Sequence, residues 1–187
     1  MVQLSERPGT KKITNLHDKF LYKIGAIYDA EIRFLEGQQL LLQYSQHNQL
    51  KSLIETHIRE TEQQIKNLEQ VFSALGQQPQ RVNSDVAAGL ISDGQKLVLL
   101  ASDSPTIVDL ALAGEQAKVE QLEIAIYRDL IKNAEVLGQN QVVQLLQQNL
   151  QQEEQTAQKL EQLKPQLLQE VQSAQGSSTG SSNKKSR

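Results

Sequence analysis

Apolar residues recur at the 3.6-residue period along four long stretches of the chain, with no strand-like alternation between apolar and polar positions. Leu16, Phe20, Ile24, Ile27, Phe34, Leu35, Leu41 and Leu42 mark the first stripe. Leu50, Ile54, Ile58, Ile65, Leu68, Phe72 and Leu75 mark the second, and two more follow Pro105 and Asn140. Such stripes have to be buried against one another, which selects an all-α bundle. Composition agrees, because the good helix formers Gln, Leu, Glu, Ala and Lys are abundant and only 4% of the 187 residues are aromatic. Yet each stripe carries one ionisable residue near its centre: Glu31, His57, Glu123 and Glu153. A charge in a position suited to leucine destabilises a fold unless it is paired, protonated or bound to a metal.

Helix-start and helix-stop residues divide the chain. The first helix is expected from about residues 13–15 to residue 46, and the second over about 50–75 with Gly76 as its C′ stop. The short connection around residues 47–48 makes the two antiparallel neighbours. Pro79 excludes a continued helix, so residues 77–103 read as a crossover with a short helix, capped by Asn83, Ser84 or Asp85 and weakened by Gly89 and Gly94. Ser104-Pro105 starts a third helix that Gly138 ends. Asn140 opens a fourth, running to about Lys164, where Pro165 either kinks it or begins another turn. Residues 1–12 are expected as a flexible lead-in, 13–173 as the bundle and 174–187 as a disordered, low-complexity tail. Two hairpins joined by one long connection have the connectivity of ferritin-like folds. The expected architecture is therefore an antiparallel four-helix bundle with one long crossover carrying a short extra helix.

At roughly 100° per residue, Glu31, Glu123 and Glu153 each fall within about 30° of the centre of their apolar face. His57 does nearly as well. Glu60 and Glu120 lie one turn from His57 and Glu123, toward the edges of the same faces, within reach of the same point. Carboxylates with one imidazole suit iron, manganese or another divalent first-row ion. Any one of these residues is most simply a satisfied polar group. Four together favour a site, because unpaired buried carboxylates repel one another. A proton-sharing network without metal is the other reading, and Gln38, Gln116 and Asn149 lie on inner faces where they can satisfy it. Glu36, Glu62, Glu69, Glu135, Glu154 and Glu161 read as solvated.

Several segments resemble the YciE/YciF-type ferritin-like proteins: Tyr28-Asp29-Ala30-Glu31, His57-Ile58-Arg59-Glu60-Thr61, Val119-Glu120-Gln121-Leu122-Glu123-Ile124-Ala125 with Tyr127, and Leu150-Gln151-Gln152-Glu153-Glu154. The similarity runs over about residues 13–163. It implies a ferritin-like bundle, usually dimeric, associated with bacterial stress responses and carrying a metal site. By motif position the metal ligands it implies are Glu31, His57, Glu60, Glu120, Glu123 and Glu153. The chain departs from the family at Gln121, where a histidine is usual, and at Ala157, where an acid is frequent. Gln121 projects away from the stripe centre, whereas Ala157 lies nearer the inner face and leaves helix four with Glu153 alone. One metal ion, or an asymmetric pair, is expected rather than a complete ferroxidase centre.

Other functions find no support. A net charge of −3 gives no electrostatic case for nucleic acid. No stretch approaches a membrane span or the apolar run of a signal peptide. Zero cysteines exclude disulfides and thiolate ligands and fit a reducing cytoplasm. There is no G-x-S-x-G and no phosphate-cradling glycine loop, and no small-molecule substrate is identifiable. Two functions stand: a metal-binding, iron- or manganese-dependent stress protein whose reaction is undefined, or a non-enzymatic structural or interaction bundle with a vestigial polar core. The apolar run at residues 97–101 suits a homodimer contact or packing into the bundle.

Overall fold

The computed structural model describes residues 12–180, with side chains to residue 176. The lead-in expected for residues 1–12, Lys12 apart, and the tail from residue 181 lie outside the described residues. The elements are α1 (Leu16–Leu41), a 3-10 turn (Leu42–Tyr44), α2 (Asn48–Ala74), α3 (Asp85–Leu100), α4 (Pro105–Val136) and α5 (Asn140–Gly180). Among the described residues there is no strand, and no helix is long and apolar enough to cross a membrane.

The helix ends follow their local chemistry. The Asn15 side chain accepts the Asp18 N–H at 2.8 Å, His47 Nδ1 accepts that of Leu50 at 3.2 Å, and Ser84 Oγ that of Ala87 at 3.4 Å. Each satisfies a donor that a helix start leaves without a partner. Gly76 and Gly138 adopt φ of +67° and +69°. Behind Gly76, Gln77 N–H donates to the Phe72 carbonyl at 2.9 Å and Gly76 N–H to that of Ser73 at 3.0 Å, a Schellman closure. Gly138 closes α4 in the same way.

Two boundaries differ from expectation. The first helix tightens into its 3-10 turn at Leu42 and stops at Tyr44. The last continues through Pro165 to Gly180, past the end expected at about Lys164. Pro165 and Glu161 are both exposed, so water can take up the carbonyl that proline leaves without a donor. Meanwhile Leu160, Leu163 and Leu167 keep the stripe buried on the opposite side.

In cross-section the four long helices follow the order α1, α2, α5, α4 around the bundle, and α3 lies outside against α1 and α4. Helix α1 runs antiparallel to α4: Lys19 Nζ meets Asp129 at 3.2 Å near one end, and Ser45 Oγ donates to Asp109 at 2.7 Å near the other. The α2–α4 connection must therefore travel the length of the bundle, and α3 carries it. Its start is fastened to α1. Buried Asp29 accepts hydrogen bonds from Arg33 at 2.6 Å, Arg81 at 2.8 Å and the Ser84 N–H at 2.9 Å. Val82 N–H donates to the Gly25 carbonyl at 3.0 Å. That approach requires glycine, because a Cβ at residue 25 would stand 2.7 Å from Val82 Cγ2 and 2.9 Å from the Gln80 carbonyl oxygen.

The apolar core is divided in two. One cluster gathers Phe20, Ile24, Ile27, Phe34, Leu68, Phe72, Leu130 and Leu146. The other gathers Leu50, Ile54, Val98, Leu112, Leu160, Leu163 and Leu167. On α2, α4 and α5 the buried His57, Glu120, Glu123 and Glu153 fall between residues of the two clusters, so a polar layer separates two greasy ones.

Candidate metal centre

All four central residues of the stripes are buried, each no more than 1% exposed. His57 of α2, Glu120 and Glu123 of α4 and Glu153 of α5 each bring one ligand atom within 4.8 Å of the others. Glu120, one turn from Glu123 on the same helix, thus enters the group fully. Glu31 meets it from α1, sharing a hydrogen bond with Glu123. Glu60 is different. It is half-buried, its Oε2 is 3.6 Å from His57 Nδ1, and it accepts a hydrogen bond from Thr156 Oγ1 at 3.2 Å. It reaches the cluster through His57 and lines an open, amide-lined mouth between α2 and α5 with Gln63, Asn67, Gln151 and Gln155.

A ring of neutral groups surrounds these acids. Tyr127 donates its hydroxyl proton to Glu31 Oε1 and accepts from Asn149 Nδ2 at 3.0 Å. Asn149 Oδ1 in turn accepts from Asn67 Nδ2 at 2.7 Å. Gln64 donates to Glu153 Oε1, and Gln116 Nε2 to Glu120 Oε1 at 2.6 Å. Gln64, Asn67 and Tyr127 were not among the expected site residues. Glutamine and asparagine are so frequent on α2 and α5 that position alone did not separate them from surface amides. Tyr127, by contrast, carried a signal, since it lies one turn beyond Glu123 on the same stripe.

The electrostatics are those of an overcrowded acidic site. His57 Nε2 is 3.1 Å from Glu120 Oε1. Burial disfavours the imidazolium, but the Glu120 charge, contacts with Glu120 and Glu60, and the Glu31 charge outweigh it and carry its pKa to about 10. Glu120 is correspondingly held below the usual range: burial raises it, and His57 with hydrogen bonds to Glu153 and Gln116 more than compensates. Glu123 and Glu153 are pushed well above it, first by burial and then by neighbouring carboxylates. Burial likewise raises Glu31 to about 7, against the pull of Tyr127 and His57. In the metal-free protein Glu123 and Glu153 therefore hold protons that they share with Glu31 and Glu120.

The donor set fits a cation. Contacts among the acids themselves aside, Glu31 Oε2, Glu120 Oε2, Glu123 Oε1 and Glu153 Oε2 are buried and receive no hydrogen bond from any other group, and neither ring nitrogen of His57 is aligned for one. Native interiors seldom leave so many polar atoms unsatisfied in one place. Oxygen-rich ligands with one imidazole suit iron or manganese.

A four-helix bundle with a lengthwise crossover and an inward Glu/His layer drawn from its long helices defines the ferritin-like class. A family model described as "Domain of unknown function (DUF892)" matches residues 15–173, and the chain belongs to that family. It is 29% identical over 142 residues to Protein YciF of Escherichia coli (strain K12), covering 75% of this chain and 85% of that one. Its structure is similar to that of the E. coli stress protein YciF, with a TM-score of 0.79 at 26% identity over 84% of this chain and 99% of that one. YcfI from Rhodopseudomonas palustris matches with a TM-score of 0.77 at 32% identity, over 81% and 96% of the two chains. A protein from Xanthomonas campestris pv. campestris shares the fold, with a TM-score of 0.69 at 20% identity over 87% and 99%. The resemblance seen in the motifs, to YciF-like ferritin-like proteins, thus holds for sequence and fold alike.

Proposed function

We propose that this chain is a ferritin-like metal-binding protein of the bacterial stress response, acting in the cytoplasm as a homodimer and holding iron or manganese in its central layer. The observation that carries this reading is the convergence of His57, Glu120, Glu123 and Glu153 within 4.8 Å, with buried atoms of each receiving no hydrogen bond from outside the group. Those four would hold the ion, with Glu31 beside Glu123 and Glu60 behind His57. A bound iron or manganese ion would supply Lewis-acid and one-electron redox chemistry there. The chain's own residues orient the ligands: Gln116 and Gln64 fix Glu120 and Glu153, while Tyr127, held by Asn149, fixes Glu31. Buried Ala157 offers no further ligand on α5, which favours a single ion or an unequal pair. No particular reaction is assigned.

Metal analysis of protein purified without chelator tests this. The wild type is expected to retain iron or manganese, and a Glu31→Ala/Glu123→Ala double variant to lose it. Metal-free wild-type protein under varied metal supply would refute the reading.

A second reading, a structural or interaction bundle with a proton-sharing core, is favoured by one feature. Glu123 with Glu31 and Glu153 with Glu120 already form hydrogen-bonded acid pairs without a cation. On that reading, replacing buried acids by apolar residues raises stability whether or not metal is present.

A further inference from the structure

One helical turn from the polar layer, on three helices at once, the packing opens. On α1 Phe34 follows Glu31, on α2 Ile54 precedes His57, and on α4 Gln116 precedes Glu120. Between these residues and the crossover helix α3 lies a half-open cavity of about 30 Å³, on a scale where about 10–15 Å³ admits a water molecule. Phe34, Leu41, Ile54, Ile91, Leu112 and Val119 give it apolar walls.

Three polar side chains line it, and their placement is informative. Glu115 is mostly buried and paired with Lys118 Nζ at 2.7 and 2.9 Å, so its charge is already neutralised. Gln116 forms the wall toward the cluster, with its amide donating to Glu120 at 2.6 Å. Gln38 is 4% exposed. Its Oε1 accepts from Thr61 at 3.5 Å, but its Nε2 has no partner. A buried N–H donor without an acceptor is costly, and a guest that accepts one hydrogen bond relieves it.

Small residues keep the space open. Gly37 and Gly94 both line it. A Cβ at residue 94 would lie 3.6 Å from Glu115 Cγ and 3.8 Å from Leu41 Cδ1, so alanine fits there by ordinary contact and a longer side chain must enter the cavity. The crossover helix is therefore both the cover and the place where the space can be closed.

We propose that this cavity binds a small, uncharged, weakly polar molecule of dioxygen size, with Gln38 Nε2 as its hydrogen-bond donor, and holds it one side-chain layer from the Glu/His cluster. The walls are mostly apolar and the one acid is paired with Lys118, so a metal ion finds no free carboxylate on this path. Delivery of the guest to a metal rests on the reading under "Proposed function". Occupation of the cavity does not.

Two measurements separate these. Crystals pressurised with xenon are expected to show one atom among Phe34, Leu41, Ile91 and Leu112 in the wild type and none in Gly94→Leu. Gly94→Ala, which keeps ordinary contacts, is expected to show reduced occupancy and serves if the larger variant does not fold. No xenon in the wild type, or equal occupancy in all variants, overturns the proposal. Nitric oxide mixed with protein loaded with Fe(II) reads the second step. Nitrosyl formation is expected to slow at least tenfold in Gly94→Leu with the same final amplitude, or by a smaller factor in Gly94→Ala. An unchanged rate overturns delivery through the cavity. Xenon in the cavity with no nitrosyl signal in the wild type supports the pocket and refutes the metal reading.

Discussion

Buried carboxylates dominate the chemistry at the level of single residues, and their protons predict how metal binding depends on pH. Burial and neighbouring acids hold Glu123 and Glu153 well above the usual range and bring Glu31 to about 7. A cation must displace those protons. His57, carried to about 10, must also give up its proton to ligate, so affinity should rise with pH by about tenfold or more per unit up to about pH 10, with protons released on binding. Titration calorimetry in buffers of different ionisation enthalpy measures both, and a pH-independent affinity would contradict the assignment. The stability of the metal-free protein runs the other way. A group whose folded pKa is raised contributes stability that is intact below its unfolded value and lost as pH rises through the folded one. For Glu31 that window extends from 4.5 to about 7. The inward direction of Glu31, His57, Glu123 and Glu153 was legible in the sequence, because the period alone assigns a face, whereas Glu120 was placed only toward the edge of its face and is fully buried. That Glu60 reaches the cluster through His57 alone was not legible, because an edge position leaves the side chain free to turn inward or outward. The roles of Gln64 and Asn67 were hidden for a related reason. The stripe pointed to Ile65, which is half-buried, whereas the layer facing the acids takes the amides on either side of it.

At the level of elements, local signals did well where the backbone itself was constrained. Gly76 and Gly138 close helices at positive φ as expected, and Pro105 begins α4. They misled where tertiary packing decided. Pro165 reads as an interruption, yet α5 continues because proline sits on the exposed side and Leu163 and Leu167 remain buried. The crossover carried a less visible requirement. Gly25 lies inside a helical stripe, where glycine looks merely weak, but the segment holding Gln80 and Val82 presses against it. Gly25→Ala would help an isolated helix. Here it should destabilise the protein by about 1–3 kcal/mol, because the added methyl overpacks the contact. Chemical denaturation measures this, and a neutral or stabilising result would show that the crossover is not seated as described.

For the whole molecule, the number and connectivity of helices followed from hydrophobic periodicity, since two hairpins and one long connection leave few ways to bury four stripes. Which surfaces remain open did not follow. The run at residues 97–101 turns only Val98 fully inward, leaving Leu99 65% and Leu100 80% exposed. Such leucines on α3 suit an interface between two copies. Light scattering should give twice the 20.9 kDa chain mass for the wild type and the monomer mass for Leu99→Lys/Leu100→Lys, whereas equal masses would place any interface elsewhere. The polar layer between two apolar clusters has a consequence at the same scale, because a cation bound there would tie α2, α4 and α5 together through their own side chains. Anomalous diffraction from metal-loaded crystals, recorded on either side of the iron and manganese absorption edges, tests this most directly. A peak bonded to His57, Glu120, Glu123 and Glu153 is the predicted result; a featureless layer, with the acids still hydrogen-bonded to one another, would contradict it.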